Sequence, residues 1–319
     1  MGGDRLAVVS VDLDEIPCYA AIHGLRSRDE SAHAIYERAI DRLAELFASE
    51  RVPATFFVIG SDLAHGPSAA KVRALAAAGH ELASHSLSHL YDFTRRGRPV
   101  IEREIAGAEE AFAAASLARP TGFRAPGYTI TDEVFDVLAA RGYAYDASVF
   151  PSPVYYAGKT TFIGLTRLAG RRSHSIVDDP RVLSAPAEPY RVGRPYWRRG
   201  NGIVELPVGV TRGVRGHYIG TSVAMAGERG ARWLTRAMTG RRVVSLELHG
   251  IDAADASKDG LGWLALHQRD LRVPAEAKLR ALRAALRTLR AMGHRFVTAA
   301  QAARDVPSAA GAFAHESGR

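Results

Sequence analysis

The chain has 319 residues, of which 47% are hydrophobic and 24% charged, and these values are typical of a globular protein that is large enough to bury a substantial core. Its formal net charge of +8 is compatible with acidic or phosphorylated partners, but the sequence has no zinc-finger or RNA-recognition signature and no basic stripe along one helix. We therefore expect no nucleic-acid partner. No apolar run approaches the roughly 18 residues that a membrane-spanning helix needs.

The first residues, MGGDRLAVVSVD, lack the basic stretch, the long apolar segment and the cleavage site of a secretory signal. The chain has a single cysteine, Cys18, which can form no disulfide within the chain. Neither feature indicates an oxidising compartment. The expected location is therefore the cytoplasm.

Strand-like and helix-like segments alternate from the start of the chain. Strands are predicted at 6–13, 54–60, 80–85, 122–127 and 143–150, and helices at 32–50, 67–78, 100–116 and 133–141. The prediction for 32–50 depends on apolar residues spaced three and four apart, which is typical of an amphipathic helix. Regular β–α alternation favours parallel strands with helices packed outside them, as either a barrel or an open sheet.

The alternation lapses at about 151–202, a region rich in Pro, Gly, Tyr and Arg. It resumes with predicted strands at 203–208, 243–250 and 294–298 and predicted helices near 227–239 and 274–292. We interpret the chain as a single domain over residues 1–305, with an insertion or cap at about 151–242. A flexible tail is expected at 306–319 because that segment is small and polar.

Ionisable side chains collect where three predicted strands end. Alternate residues of a strand share one face, and the sets that do so here are Ser10, Asp12 and Asp14, and Ser245, Glu247 and His249. His85 stands at the end of a third strand. Because active sites of parallel β/α folds form at the carboxyl ends of strands, we expect these groups to converge.

One carboxylate and two histidines would form a catalytic type of metal site. His85 and His89 carry little information by themselves, since an isolated histidine is most often a surface or core residue. Combined with an aspartate, they supply three ligands of mixed nitrogen and oxygen type and leave a position open for water. This composition is typical of catalytic zinc or a similar divalent ion.

The order of these segments resembles the motifs of the polysaccharide deacetylases of carbohydrate esterase family 4, which share the NodB-homology domain. The matching segments are Asp12-Leu13-Asp14, His85 to His89, Arg124-Ala125-Pro126-Gly127-Tyr128 and Leu246 to His249. The usual first motif has two adjacent aspartates, whereas Leu13 separates them here. Asp146 matches the fourth motif only loosely.

The resemblance implies an α/β fold, a distorted (β/α)7 barrel with a long irregular insertion. It also implies that Asp14, His85 and His89 hold a divalent metal, commonly zinc, with cobalt, nickel, manganese or iron as alternatives. Asp12 is then the general base, although the roles of Asp12 and Asp14 could be exchanged.

The activity implied by the resemblance is amide hydrolysis by a metal-activated water. Arg124 would pair with Asp12 and keep it ionised, because a nearby cation lowers the pKa of a carboxylate. His249 would protonate the departing nitrogen. The backbone N–H groups of Gly127 and Tyr128 would donate to the oxyanion of the tetrahedral intermediate. The candidates for orienting His249 are Glu247 and Asp146.

The expected substrate is an amino sugar, or a related glycan or glycoconjugate, that carries an N-acetyl or N-formyl group. A basic, aromatic segment could recognise a phosphate on such a substrate, or could be an ordinary solvated loop; its residues are Arg191, Arg194, Tyr196, Trp197, Arg198 and Arg199. Three alternatives stay open: an allantoinase-like hydrolase of cyclic amides or ureides, a non-catalytic binding relative, and an unrelated (β/α) protein.

Overall fold

The strands of the computed structural model, which describes residues 4–307, form one strongly curved sheet. They are β1 (Arg5–Asp12), β2 (Thr55–Val58), β3 (Glu81–Ser84), β4 (Gly122–Phe123), β5 (Tyr145–Asp146), β6 (Tyr190–Val192), β7 (Arg199–Glu205), β8 (Val243–His249) and β9 (His294–Val297). Seven of them run parallel in the order β7-β5-β4-β3-β2-β1-β8. β6 pairs antiparallel with β7. β9 pairs parallel with the first half of β1, whereas β2 pairs with the second half.

The two ends of this sheet meet through the segment that follows β7. Ile219 forms a parallel bridge with Glu247 of β8, and the N–H of Tyr218 donates to the carbonyl of Gly209 at 2.9 Å. Gly209 packs directly on β8, where a Cβ would lie 2.0 Å from the carbonyl oxygen of Ser245. The sheet is therefore curled into a distorted (β/α) barrel, and the predicted fold class is confirmed.

Helices surround the barrel. They are α1 (Ile16–Ile22), α2 (Ile40–Glu50), α3 (Gly66–Ala77), α4 (Arg98–Ala114), α5 (Asp132–Ala140), α6 (Pro153–Leu168), α7 (Gly220–Met225), α8 (Gly227–Arg236), α9 (Ala275–Ala291) and α10 (Ala299–Arg304), and a π-helical segment, Ile35–Ala39, leads into α2. In α2 the buried residues Leu43, Leu46 and Phe47 have the spacing that predicted the helix. Within residues 4–307, no helix combines the length and the apolar character that crossing a membrane requires.

The segment after β5 differs from the sequence prediction. α6 is a regular helix of 16 residues where none was predicted. Only Thr166 of this helix is buried, so α6 lacks the apolar stripe by which periodicity reveals a helix. The predicted insertion at 151–242 is also too broad, because β7 lies inside it and is a barrel strand with Val204 buried in the core.

Two further differences concern length. β4 and β5 have only two residues each, although six and eight were predicted, since the chain leaves the sheet there to form turns at the barrel mouth. Of the predicted tail at 306–319, residues 308–319 lie outside the described part of the chain.

Candidate metal and catalytic site

Three possible metal ligands meet at the carboxyl end of the sheet. Asp14 follows β1, while His85 follows β3 and His89 lies four residues further on. The Nε2 atoms of His85 and His89 lie 3.2 and 3.3 Å from Oδ1 of Asp14. Asp14 is 4% exposed, His85 1% and His89 6%. The structure therefore brings together all three predicted ligands in a buried cluster.

The backbone around the two histidines holds them in a defined orientation. Nδ1 of His85 lies 2.8 Å from the carbonyl oxygen of Arg124, so its Nε2 is left to face Asp14. The backbone N–H of His89 donates to Oγ of Ser86 at 3.1 Å. Ser86 and His89 have φ values of 64° and 52°, in the left-handed region that side chains rarely adopt. Such strain often accompanies a functional site.

These donor atoms fit a divalent cation. Among the described residues, Oδ1 of Asp14 and both ring nitrogens of His89 are buried without a hydrogen-bond partner, because the short contacts between them do not have hydrogen-bond geometry. Buried polar atoms are costly when unpaired. Burial alone would raise the pKa of Asp14, but His89 and His85 hold that pKa well below its usual range. An ionised carboxylate beside two imidazoles is a suitable zinc donor set.

Arg124 fixes the second aspartate, Asp12. Its Nη1 donates to Oδ1 of Asp12 at 2.5 Å, its Nη2 to Oγ of Ser10 at 3.0 Å and its Nε to the carbonyl of Ala147 at 2.8 Å. The guanidinium also stacks 4.1 Å from the ring centroid of Phe57. Arg124 is only 1% exposed, so these contacts leave it a single orientation.

The pKa of Asp12 departs from the prediction. We expected Arg124 to lower it, but the pKa is raised, because the cost of burying the charge exceeds the attraction of Arg124. Asp12 is 1% exposed, a depth that the sequence does not show. Its free oxygen, Oδ2, lies 3.9 Å from Nε2 of His85 and so faces the candidate metal site.

His249 forms a second cluster with Glu247 and Asp12 beside the first. Nδ1 of His249 lies 2.9 Å from Oε1 of Glu247, which is fully buried, and Nε2 lies 3.4 Å from the hydroxyl of Tyr128. The backbone N–H of His249 donates to Asp252 at 3.0 Å. Burial alone would lower the pKa of His249, but Glu247 raises it well above its usual range.

Asp146 does not contact His249. Its carboxylate accepts hydrogen bonds from the N–H and the hydroxyl of Ser148, both at 2.8 Å. Oγ of Ser148 in turn accepts the N–H of Ala125 at 2.8 Å, so this pair supports the chain next to Arg124. Of the two candidates for orienting His249, only Glu247 is placed to do so.

The turn after Arg124 differs in part from the prediction. The N–H of Tyr128 donates to the carbonyl of Ala125 at 3.0 Å, so it is not available to an oxyanion. Only the N–H of Gly127 remains a candidate of the predicted pair. Gly127 has a φ of 62°, and Nζ of Lys159 donates to its carbonyl at 2.7 Å.

Two residues of α6 reach the site, and the sequence did not reveal them. The ring of Tyr155 stacks on Phe150, with centroids 4.4 Å apart, and meets the ring of Tyr128 edge-on at 5.8 Å. Lys159 contacts Gly127, as described above. The only available signal was their nearness in sequence to the strand at 143–150, because α6 shows no clear periodicity.

The basic, aromatic segment predicted to recognise phosphate lies against α5. Arg194 pairs with both carboxylate oxygens of Asp136 at 3.0 and 2.9 Å. Tyr196 is 2% exposed and donates its hydroxyl to Asp178 at 3.1 Å. Because Arg194 and Tyr196 already bind carboxylates of the protein itself, these contacts do not test phosphate recognition, which stays a prediction.

Comparison with known proteins shows a similarity to one family over part of the chain. Residues 30–145 match the family model described as polysaccharide deacetylase. A chitooligosaccharide deacetylase from Sinorhizobium fredii is 37% identical over 101 residues, which are 31% of this chain and 46% of that protein. A peptidoglycan deacetylase from Helicobacter pylori is 25% identical over 152 residues, 47% of this chain and 51% of that protein. The chain thus spans about half the length of the curated relatives that it matches.

The solved structures agree in fold. A structure from Mycobacterium smegmatis, assigned to the polysaccharide deacetylases, has a TM-score of 0.58 at 19% identity and covers 96% of this chain and 92% of its own. The Bc1960 peptidoglycan N-acetylglucosamine deacetylase has a TM-score of 0.50 at 11% identity, and the match covers 94% of this chain and 88% of that one. His85, His89 and Arg124 lie inside the matched segment 30–145, and the fold brings Asp14 to the two histidines from outside it. The segment 30–145 is therefore similar to the polysaccharide deacetylases, and the fold of the chain agrees with that of solved structures assigned to them.

Proposed function

We propose that this protein is a metal-dependent amidohydrolase that removes an N-acyl group, acetyl or formyl, from an amino sugar or a related glycoconjugate. One observation carries the proposal: the buried set Asp14, His85 and His89 lies directly beside a second set, in which Asp12 is buried and His249 is partly buried. The names of the curated relatives, chitooligosaccharide and peptidoglycan deacetylases, support an acylated amino sugar as the substrate.

Asp14, His85 and His89 would hold the cation, for which zinc suits the donor set and cobalt, nickel, manganese or iron are alternatives. A divalent cation bound there would supply Lewis acidity, which would polarise an acyl oxygen and lower the pKa of a water toward about 7. The protein residues around it must then move two protons and hold the developing negative charge.

Asp12 takes the proton from the attacking water. Its Oδ1 is held by Arg124, so Oδ2, which faces His85, is the atom that accepts the proton. The raised pKa of Asp12 makes it a stronger base than an exposed aspartate. Arg124 keeps the carboxylate in one orientation throughout.

His249 gives a proton to the departing nitrogen. Glu247 holds Nδ1 and favours the protonated ring, so Nε2, on the side of Tyr128, is the atom that donates. The N–H of Gly127 is the remaining backbone donor for the oxyanion. Its carbonyl accepts from Lys159, which steadies the turn.

The test separates metal binding from proton transfer. We expect Asp14→Ala and His89→Ala to lose bound metal and activity together. Asp12→Asn should keep the metal, while its kcat falls about 10²–10⁴-fold. Metal is measured by elemental analysis, and activity by acetate release from an N-acetylated chitooligosaccharide. Asp41→Asn, an exposed change on α2, serves as the control. Full activity of Asp12→Asn, or of the wild type after exhaustive chelation, would contradict the mechanism.

A further inference from the structure

A cavity of about 690 Å³ opens next to the candidate site, between α1, α6 and the segments 217–225 and 266–270. Seven large apolar side chains are exposed within residues 4–307, and three of them converge here: Val154, Met225 and Leu266, which are 50%, 45% and 74% exposed. Ile22 and Phe162 complete its apolar wall. Exposed apolar groups that converge on one cavity indicate a binding site, and we name this cavity the apolar cleft.

The charged lining of the apolar cleft is mainly positive. It contains the cations Lys159, Arg171 and Arg269, and a single acid, Asp270. Asp270 is only 3% exposed and lies 3.9 Å from the ammonium of the buried Lys278, so its charge is balanced inside the protein. The positive charge that remains favours an anionic occupant.

The cleft adjoins the turn that would hold the oxyanion. Two of its lining residues, Tyr155 and Lys159, are the residues of α6 that contact Tyr128 and Gly127. An occupant of the cleft would therefore touch the same side chains that border the reacting amide.

The cleft also lies on the side of the candidate acid rather than that of the metal. Its lining residue Thr221 donates to Asp252 at 2.9 Å, and the other oxygen of Asp252 accepts the N–H of His249. His89, by contrast, borders a different cavity, of about 560 Å³. Since His249 is assigned to protonate the leaving nitrogen, the cleft faces the amine half of the substrate; this step rests on the proposed function.

We propose that the apolar cleft binds an apolar group with an attached anion, such as a phosphate or a carboxylate, that belongs to the amine half of the substrate. The substrate is then an amphiphilic N-acyl amino sugar, in which the group attached to the sugar occupies the cleft. In this arrangement Lys159, Arg171 and Arg269 face the anion, and the apolar wall of the cleft packs against the apolar group.

The first experiment measures binding without turnover. Calorimetry with octyl phosphate and the metal-loaded protein should show saturable binding, which Phe162→Asp weakens at least about tenfold. Leu165→Asp is the matched control, because Leu165 lies on the same helix, is 60% exposed and does not line the cleft. The double variant Arg171→Gln/Arg269→Gln should lower the affinity for octyl phosphate to that for octyl glucoside. Absence of binding, or equal loss in Phe162→Asp and Leu165→Asp, would overturn the proposal.

The second experiment measures KM for the methyl and octyl glycosides of N-acetylglucosamine. We expect a KM at least about tenfold lower for the octyl glycoside, a preference that Phe162→Asp removes and Leu165→Asp retains. Acetate release with equal KM for both glycosides would refute the cleft assignment and leave the deacetylase proposal intact. Octyl phosphate binding that depends on Phe162, without acetate release from either glycoside, would instead refute the deacetylase proposal and support the cleft as a binding site.

Discussion

The protonation state of His249 depends on one buried carboxylate. Glu247 belongs to the same strand, two residues earlier. Its Oε1 lies 2.9 Å from Nδ1 of His249, and neither of its oxygens has a partner of hydrogen-bond geometry among the described residues. Burial lowers the pKa of an imidazole, but the contact with Glu247 outweighs it, so the net pKa is raised well above the usual range. The raised pKa favours the protonated ring, which is the form that the proposed general acid needs.

Replacing Glu247 by glutamine should shift the alkaline limb of the pH–kcat/KM profile to lower pH. Because the carboxylate raises the pKa of His249, removing its charge lets the ring lose its proton at a lower pH. The profile is measured between about pH 6 and 10, with bound metal determined in parallel to show that the site is intact. An alkaline limb that does not move would contradict the assignment of His249 as the acid.

Asp12 and Asp14 are similarly buried, but their different neighbours shift their pKa values in opposite directions. Both are nearly inaccessible, yet the pKa of Asp14 is lowered and that of Asp12 is raised. Asp14 has two imidazoles within 3.3 Å, whereas the imidazole of His85 lies 3.9 Å from Asp12, and the neighbouring carboxylate of Glu247 opposes the attraction of Arg124. This difference favours Asp14 as the metal ligand and Asp12 as the base, the assignment that the sequence left exchangeable.

The start of α1 is joined to the segment before α2 by Glu15, the residue after Asp14. Its carboxylate accepts the backbone N–H groups of Ile16, Ile35 and Tyr36 at 3.2–3.3 Å. Glu15 is 4% exposed, and burial raises its pKa to about 8 although these hydrogen bonds oppose the shift. The residue thus holds the chain on which Asp14 lies.

Glu15→Ala should lower the free energy of unfolding by about 2 kcal/mol or more, because it leaves buried N–H groups without an acceptor. Glu15→Gln keeps one oxygen acceptor and should cost less. Urea denaturation measures both changes. Equal stabilities of Glu15→Ala and the wild type would show that water or other groups replace the carboxylate.

Glu15 also predicts a pH dependence of stability. The native protein holds this proton up to a pKa of about 8, against an ordinary value of 4.5, so the native state binds more protons than the unfolded state between these values. The contribution of Glu15 to stability therefore falls as the pH rises through this interval. The decline should be smaller in Glu15→Gln, and an identical pH dependence would contradict the raised pKa.

Closure of the barrel depends on the close approach of Gly209 to β8. In Gly209→Ala the new Cβ would lie 2.0 Å from the carbonyl oxygen of Ser245, a backbone atom that cannot move alone. We expect a loss of about 1–3 kcal/mol in the free energy of unfolding. Gly164→Ala is the control, because no atom lies within 4 Å of its Cβ and alanine favours a helix by about 0.5–1 kcal/mol over glycine. A Gly209→Ala variant as stable as the Gly164→Ala control would exclude this role.

Much of the site could be predicted from the sequence because its cause is local. Simple alternation predicted that Asp12 and Asp14 point the same way where the first strand ends, and the helix at 32–50 follows from its apolar spacing. α6 could not be predicted in this way, because its side chains are mostly exposed and its position above the turn at 126–128 depends on contacts with distant segments.

The sequence by itself determined the β–α alternation, the family motifs and the set of ionisable residues at the ends of β1, β3 and β8, because these depend on the order and spacing of neighbouring residues. Only the tertiary structure decided that Glu247 rather than Asp146 contacts His249, that burial raises the pKa of Asp12 despite Arg124, and that Gly209 closes the barrel. Each of these depends on the burial depth of a group and on which distant side chains surround it, and these follow only from the packing of the whole chain.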